Sequence, residues 1–481
     1  MWKVLLALLF LSLSSGCDIK GANDPFSYAP SSSHCVWTPP PKAQKRLPLD
    51  EMNRDLQDYT EFSKEAPLTL AETIDVALFY NPTTKLSWAN ARISAAEYGQ
   101  TLQPEFIQAD IDGNYTRTRF AQFTGPQRQI VYETQYGGEL QLTYLIFDFG
   151  QTRTTSEAAL QSLYNADWSH NSQIQATIQL LMNDYYDYLY QKQLLYAAEQ
   201  DVVNAKISLD ATEESFQRGL SDVSDIVQAK TSYLHQKLAV VTQKQSLHNA
   251  YTKLIGDMGL PSDKPIFFQD YPEKIETFEL DDLDILVLKA NQNRPDLLAA
   301  EANVKSSELS IKAAKLQNFP TVNGEFDIGR KYYQHGITDT YDFAATVSLT
   351  YPLFQGFFIA NTIKQARAVL ESSQAELEQV QLSIIQEVAN YRSDVSFALE
   401  SLEYAQAYLD SAKEDYKVNL SKYKVGTGTI VDLINAQTAV SDARAQLAQS
   451  KNSWYTSVAN LAYATGILLP PNPQDPYEKM H

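Results

Sequence analysis

The segment VGTGTIVDLINAQTAV, residues 425–440, contains the residue types that most readily suggest chemistry. A glycine-rich turn before a helix can bind phosphate through its backbone N–H groups. Here no third glycine follows Gly428, and the chain contains no Gly-Lys dipeptide, so the P-loop pattern is absent. Glycine also allows the positive φ of a tight turn, and Thr427 or Thr429 can cap a following helix. The segment therefore predicts a turn between two helices.

The other reactive side chains form no catalytic pattern. The 6 histidines are scattered, and the metal and nucleophile motifs H-E-x-x-H, C-x-x-C and G-x-S-x-G do not occur. Adjacent carboxylates such as Glu213-Glu214 and Asp281-Asp282 are typical of solvated helix faces. The sequence therefore favours a protein that is not an enzyme and that uses no metal or cofactor.

The N-terminus indicates export. An apolar run, Val4 to Leu13, follows Lys3 and precedes small residues, which is the pattern of a secretory signal peptide over residues 1–16. A buried helix is the alternative. Cys17 comes directly after Gly16 and resembles the acylation site of a bacterial lipoprotein. A disulfide between Cys17 and Cys35 is the competing interpretation, because exported thiols tend to pair.

Charge and composition limit the partners. The formal net charge is −19 and the sequence pI about 4.8, so a nucleic-acid partner is disfavoured. No stretch approaches the ~20 consecutive apolar residues of a membrane-spanning helix. Residues 17–66 are rich in proline and serine and predict an extended tether.

The rest of the chain is an internal repeat. The segment LIFDFG, which ends at Gly150, corresponds to YPLFQG, which ends at Gly356, an offset of 206 residues. Two further glycine pairs have an offset of 207 residues: Gly219 with Gly426, and Gly259 with Gly466. Chance similarity between helical regions would not keep these turns in register. We therefore divide the chain into repeat 1 (67–261), an inter-repeat segment (262–282), repeat 2 (283–470) and a tail (471–481).

Each repeat contains two strand patterns. Apolar and polar residues alternate in TVNGEFDIG and FAATVSLTY of repeat 2 and in ELQLTYLIF of repeat 1. The segment ADIDGNYTRTRF is the weakest of the four strand predictions. Alternation with a period of two predicts strands with one apolar and one polar face.

Long helices follow the strands. Residues 151–218 and 357–425 contain neither glycine nor proline. Apolar residues recur every three or four positions along 377–409 and 174–195, which predicts coiled-coil seams. A helical segment with Pro295 near its middle is expected to open repeat 2.

Four strands cannot close a membrane barrel, which needs at least about eight. Three chains would supply twelve, so the strand count predicts a symmetric trimer if the apolar faces contact lipid.

The sequence resembles the TolC-like outer-membrane efflux protein family. The resemblance covers residues 67–470 and is carried by the two half-repeats, YPLFQG and VGTGTIVDLINAQTAV. It implies a mainly α fold with a membrane β-barrel: a trimeric twelve-stranded barrel, with four strands per chain, continued by a long periplasmic α-helical coiled-coil barrel. The inter-repeat segment and the tail would form a belt around the helices.

The resemblance also implies roles for residues at the helix tips. The turns would be formed by Gly219 with Ser221 in repeat 1 and by Gly426 and Gly428 in repeat 2. Two further pairs are implied: Asp432 and Asn435 would line the periplasmic aperture, and Tyr423 and Asp225 would form a gate contact. The family's basic gate position corresponds to Gly428, so one of the contacts that would keep the entrance closed is missing.

The implied function is a passive outer-membrane exit duct, lipid-anchored and extending into the periplasm. Its partners would be two further copies of the chain, a periplasmic adaptor, an inner-membrane transporter and outer-membrane lipid. The sequence leaves drug efflux and protein secretion as alternatives. A lipid-anchored structural coiled-coil protein without channel activity is the other class, and the four amphipathic strands argue against it.

Overall fold

The computed structural model describes residues 67–124, 127–260, 266–272, 278–333 and 340–469, with Phe26, Ala29, residues 32–35, Trp37 and Ile275. The predicted signal peptide, Cys17, most of the tether, part of the inter-repeat segment and the tail lie outside the described residues. The main elements, in chain order, are α1 (Leu70–Tyr80), α2 (Pro82–Thr101), β1 (Gln108–Thr124), β2 (Gln127–Phe147), α3 (Gln151–Gln217), α4 (Val223–Asp257), α5 (Leu283–Asn293), α6 (Pro295–Leu316), β3 (Thr321–Tyr333), β4 (Thr340–Thr350), α7 (Phe358–Lys424) and α8 (Ile430–Ala464).

The two halves of the chain contain the same elements in the same order. Each half has a short helix, a helix that begins at proline, two strands and two long helices. The long helices α3 and α7 both have 67 residues, and α4 and α8 both have 35. The predicted two-fold repeat is confirmed.

The chain divides into two compact units. The first includes residues 89–167 and 298–378 and holds all four strands. The second includes residues 32–88, 168–297 and the chain from 379 onward, and holds most of the long helices. Among the described helices, none combines the length and the apolarity needed to cross a bilayer.

The four strands form one antiparallel sheet in the order β1-β2-β3-β4. All four predicted strands are present. However, β2 begins at Gln127, well before Glu139, where the alternating pattern begins. The early part of β2 pairs with β1 from Gln127 to Gln135. Pairing with a neighbouring strand extends β2 where its own alternation is weak.

The core of the second unit contains the predicted seam of α7. Ile384, Val388 and Val395 are at most 1% exposed, and Leu409 is also buried. Leu409 belongs to a cluster in which α7 packs against α8, formed by Leu409, Ala412, Val440 and Ala443. Spacing of three and four residues has therefore placed these side chains on one buried stripe, as predicted.

The helical segment around Pro295 is broken, which corrects the prediction of one segment. Helix α5 ends at Asn293 and α6 begins at Pro295. Proline has no N–H to donate and restricts the residue before it to extended backbone, so it stands at the first position of a new helix. Pro82 begins α2 in the same way.

Arg294, between α5 and α6, is buried and ion-paired. It is 3% exposed. Its Nε donates to Asp296 Oδ1 at 3.0 Å, and Nη1 donates to Glu387 on α7. Its guanidinium lies 5.3 Å from the ring centroid of Tyr463 on α8. One side chain therefore joins the α5–α6 joint to both long helices of the second repeat.

A glycine packs directly on each proline joint. Gly466 has a φ of 77°, and a Cβ there would lie 2.8 Å from the carbonyl carbon of Asn293. Gly259 also has a φ of 77°, and its Cβ would lie 2.7 Å from the Tyr80 carbonyl oxygen. Both joints need glycine for backbone conformation and for space.

Part of the N-terminal segment is fixed on α3. The Asn171 side-chain amide accepts from the Trp37 N–H at 2.8 Å and donates to the Trp37 carbonyl at 2.7 Å. His170, fully buried, lies 2.8 Å from Ser87 Oγ through Nδ1 and 3.2 Å from the Cys35 carbonyl through Nε2. Since that carbonyl only accepts, Nε2 donates to it.

We expect stability to fall as the pH drops from about 6.5 to about 4 because of His170. Burial lowers its pKa from 6.5 to about 4, so the unfolded chain takes up the proton first and acid favours unfolding. When the pH is lowered from 7.5 to 5, the thermal unfolding midpoint should fall less in His170→Gln than in the parent protein. His248→Gln, at an exposed position, is the control. If the midpoint falls equally in the parent protein and in His170→Gln, His170 is not the cause of the acid destabilisation.

Candidate functional site at the helix tips

Two turns join the long helices of the second unit. The first lies between α3 and α4, and the second between α7 and α8. Beside them lies an apolar group that we call the tip cluster. Its buried members are Leu209, Ala229, Tyr423, Ile430 and Leu433.

The first turn is closed by its own backbone. Gly219 has a φ of 76°, and its N–H donates to the Phe216 carbonyl at 2.9 Å. The Leu220 N–H donates to the Ser215 carbonyl at 2.9 Å. A left-handed glycine with such bonds ends a helix and satisfies its last carbonyls.

The second turn uses two glycines for different reasons. Gly426 has a φ of 77°, whereas Gly428 needs space, since its Cβ would lie 3.1 Å from Lys422 Cβ. The Lys422 carbonyl accepts from the N–H groups of Thr427 and Gly428 at 3.0 and 3.2 Å. Because these N–H groups are occupied, the turn does not offer them to a phosphate.

Asp222, not Ser221, caps α4. The Asp222 carboxylate accepts from the N–H groups of Ser224 at 2.7 Å and Asp225 at 3.2 Å. The Ser221 hydroxyl instead donates to the Thr212 carbonyl at 3.3 Å. The Ser224 hydroxyl, with these N–H groups, lowers the pKa of Asp222. Asp222 competes better for the cap because a carboxylate accepts more strongly than a hydroxyl.

Thr429 and Asp432 form a capping box at the start of α8. The Asp432 N–H donates to Thr429 Oγ1 at 3.2 Å, and Thr429 Oγ1 donates to Asp432 Oδ2 at 2.7 Å. Asp432 and Asn435 are both exposed and lie one turn apart. Asp432 therefore has a local structural role, and its carboxylate still faces solvent.

The predicted gate pair is not brought together in the single chain. Tyr423 is 4% exposed, and its hydroxyl has no hydrogen-bond partner among the described residues. The Asp225 N–H belongs to the Asp222 cap. A buried, unpaired hydroxyl costs about 1–3 kcal/mol.

Tyr423→Phe is expected to leave the thermal unfolding midpoint unchanged or slightly raised, because it removes an unpaired hydroxyl. Tyr416→Phe is the matched control. The Tyr416 hydroxyl donates to the Asn204 carbonyl at 3.2 Å, so its loss should destabilise the chain by about 1 kcal/mol. A drop in midpoint for Tyr423→Phe as large as that for Tyr416→Phe would mean that the Tyr423 hydroxyl is paired.

An ion pair that the sequence does not predict lies behind the tips. Arg444 on α8 donates to Asp201 on α3, which is 5% exposed. Burial raises the pKa of Asp201, and Arg444 partly offsets this effect. No local signal in the sequence marks this pair, because the neighbours of Arg444 in the chain, Ala443 and Ala445, lie on other faces of α8. This pair joins the second long helix of one repeat to the first long helix of the other.

Within the part of the chain that the structure describes, no group of three or more His, Cys, Asp or Glu side chains could hold a metal ion. The tips therefore combine two closed turns, an apolar cluster and exposed polar side chains. This arrangement suits a docking or pore-lining surface.

Comparison with known proteins agrees with this architecture. The sequence profile of the family described as "Outer membrane efflux protein" matches residues 77–260 and 286–467. Protein CyaE of Bordetella pertussis is 25% identical over 384 residues, covering 78% of this chain and 79% of that protein. Outer membrane protein TolC of Salmonella enteritidis is 23% identical over 428 residues, covering 84% and 83%. The outer-membrane channel OprN superposes with a TM-score of 0.75 at 18% identity, covering 82% and 89%. The predicted fold class is confirmed.

Proposed function

Because the matched profile covers most of the chain, the protein belongs to the outer membrane efflux protein family, and we propose that it is the outer-membrane exit duct of a tripartite export system. The duct conducts passively. An inner-membrane transporter supplies the energy and a periplasmic adaptor connects the two, so the chain itself needs no catalytic site. Similarity to outer-membrane relatives such as TolC supports this location.

The four-stranded sheet is the observation that carries the proposal. Its strands have one apolar and one polar face, and β1 and β4 form the two edges of the sheet within the described chain. Open edges are eliminated when a sheet closes on itself. Three copies would pair β4 of one chain with β1 of the next and close a twelve-stranded barrel with a polar interior.

The helix tips form the periplasmic entrance in this proposal. Asp432 and Asn435 of three copies would surround one axis, where three carboxylates attract cations. The Tyr423–Asp225 bond would belong to the assembled, closed entrance. Because Gly428 occupies the family's basic gate position, one contact fewer would hold the entrance closed.

Asp432→Asn is expected to weaken the cation selectivity of the single channel. Asparagine keeps a side-chain oxygen for the Thr429 capping box and removes the charge, so a change reports electrostatics and not lost folding. The reversal potential in planar bilayers under a salt gradient measures it. Asp442→Asn, farther along α8, is the control. Unchanged selectivity would exclude Asp432 from the aperture.

The proposal also includes a lipid anchor. Residues 1–16 would be removed, and acylated Cys17 would hold the tether (17–66) at the membrane. Mass spectrometry of the mature N-terminus tests this: acyl chains on Cys17 support the anchor, and an intact Cys17–Cys35 disulfide contradicts it.

Accumulation of a fluorescent efflux dye tests the duct itself. Cells without this gene should retain more dye than parent cells, and complementation should reverse the effect. Unchanged retention would exclude efflux of that dye, and comparison of proteins in the culture supernatants would then test secretion.

Conductance separates the duct from a structural coiled-coil protein. The full chain, purified in detergent and added to planar bilayers, should produce discrete channel openings. A preparation that enters the bilayer without conducting would favour the structural alternative.

A further inference from the structure

The apolar face of the sheet also carries arginines. On β1, Arg117 and Arg119 lie an even number of residues from Ile111 and Tyr115, so the four side chains share one face. Both arginines are exposed. They lie in the half of β1 nearer the hairpin that leads to β2.

Arg330 on β3 belongs to the same face. The register aligns Ile111 with Leu140 and Leu140 with Ile328, which places the three on one face of the sheet. Arg330 is two residues beyond Ile328, toward the hairpin that leads to β4. The arginines of β1 and β3 thus lie toward the hairpin ends of their strands.

Each of these guanidinium groups lies over tyrosine rings. The distances to the ring centroids are 5.6 Å for Arg117 and 6.0 Å for Arg119, both to Tyr132, and 5.3 and 4.9 Å for Arg330, to Tyr332 and Tyr341. Tyrosine is typical of the boundary between lipid and water. If this face contacts lipid, the tyrosines place the arginines at the level of the lipid headgroups.

The acidic residues of the strands are all on the opposite face. That face carries Asp110, Asp112, Glu133, Glu139, Glu325, Asp327 and Asp342. Its basic residue, Lys331, lies 3.8 Å from Glu139 and 4.0 Å from Asp342. The sheet thus separates an acidic polar face from an apolar face that carries arginine and no carboxylate.

We propose that the apolar face binds the phosphate groups of the phosphorylated glycolipid of the outer leaflet through Arg117, Arg119 and Arg330. The occupant must be apolar along the strands and anionic at the hairpin end, which describes such a lipid. This inference rests on the proposed function, because a barrel with periplasmic helices turns its hairpins outward. Arginine suits the site because its planar guanidinium forms paired bonds to phosphate oxygens.

Native mass spectrometry of the full chain in detergent tests the proposal, with bisphosphorylated lipid A and dephosphorylated lipid A as probes. The parent protein should bind the phosphorylated form at least about tenfold more tightly. Each arginine-to-glutamine change should weaken binding about fivefold, and Arg117→Gln/Arg119→Gln/Arg330→Gln together about a hundredfold. Lys331→Gln is the matched control on the opposite face, and it should leave binding unchanged.

Three results would overturn the proposal: equal affinity of the parent protein for both lipids, a triple variant that binds like the parent, or a loss caused by Lys331→Gln. If the triple variant does not assemble, Arg119→Gln alone and the comparison of the two lipids on the parent protein decide. Conductance of the same preparation separates the two ideas. A conducting protein without phosphate preference contradicts only the lipid site, and a non-conducting one contradicts the duct.

Discussion

Replacing Arg294 with alanine is expected to lower the free energy of unfolding by about 3 kcal/mol. The change leaves Asp296 and Glu387 without their cation and opens the space beside Tyr463. Removing one partner of a buried ion pair costs about 3–5 kcal/mol. The two carboxylates keep 30% and 32% side-chain exposure, so water compensates in part and the lower end applies. Denaturant unfolding of the purified chain measures the loss.

Arg218→Ala is the matched control for this experiment. Arg218 also pairs with a carboxylate, Glu214, but both side chains are more than half exposed. Exposed pairs of this kind contribute about 0.3–0.5 kcal/mol. Similar losses in the two variants would show that burial of Arg294 adds nothing to its ion pairs.

The second large effect is expected at Gly466. Gly466→Ala should destabilise the chain by about 3 kcal/mol, from left-handed backbone strain of about 1–2 kcal/mol and a steric clash of similar size. The clash arises because the new Cβ would lie 2.8 Å from both the carbonyl carbon and the Cβ of Asn293. The thermal unfolding midpoint should fall accordingly.

Gly219→Ala isolates the strain. Gly219 has nearly the same φ, 76°, and nothing lies within 4 Å of its Cβ position. It should cost about 1–2 kcal/mol. Equal losses at the two positions would mean that the joint beside Gly466 moves aside at no cost.

Periodicity explains why the strands and long helices were predictable. Val322, Phe326 and Ile328 mark a period of two, and Ile384 and Val388 belong to a period near 3.5, because each pattern records which side chains must leave water. Both patterns are local. They can be read from a single sequence without knowing which elements pack against each other.

The buried ion pairs were not predictable, because no local pattern in the sequence indicates them. Arg294 and Glu387 are 93 positions apart, and Arg444 and Asp201 are 243 apart. Nothing local distinguishes these charges from those on a solvated helix face. Arg294 and Glu387 become neighbours only when the helices of repeat 2 pack, and Arg444 and Asp201 only when the two repeats pack.

Competition between neighbouring groups explains why Asp222, and not Ser221, caps α4 at the candidate site. Ser221 and Asp222 are adjacent candidates for the cap. The Asp222 carboxylate is the stronger acceptor and takes the α4 N–H groups, whereas the Ser221 hydroxyl donates to the Thr212 carbonyl. The Tyr423–Asp225 pair came from a resemblance, which transfers residue types but not the rotamers that form a bond. Side-chain geometry of this kind requires the folded chain.

The matched lengths of the long helices restrict how this chain can evolve. A single residue inserted into α7 would rotate everything beyond it by about 100° and turn the buried stripe toward water. Seven residues add about two turns and ~10 Å and keep the stripe in phase. Helix α8, which follows α7 after the turn, must then gain seven residues as well. The same holds for α3 and α4 of repeat 1, which have the same lengths of 67 and 35 residues. Gaps between distant homologues should therefore come in sevens, in four helices at once, while single-residue gaps collect in the strand hairpins.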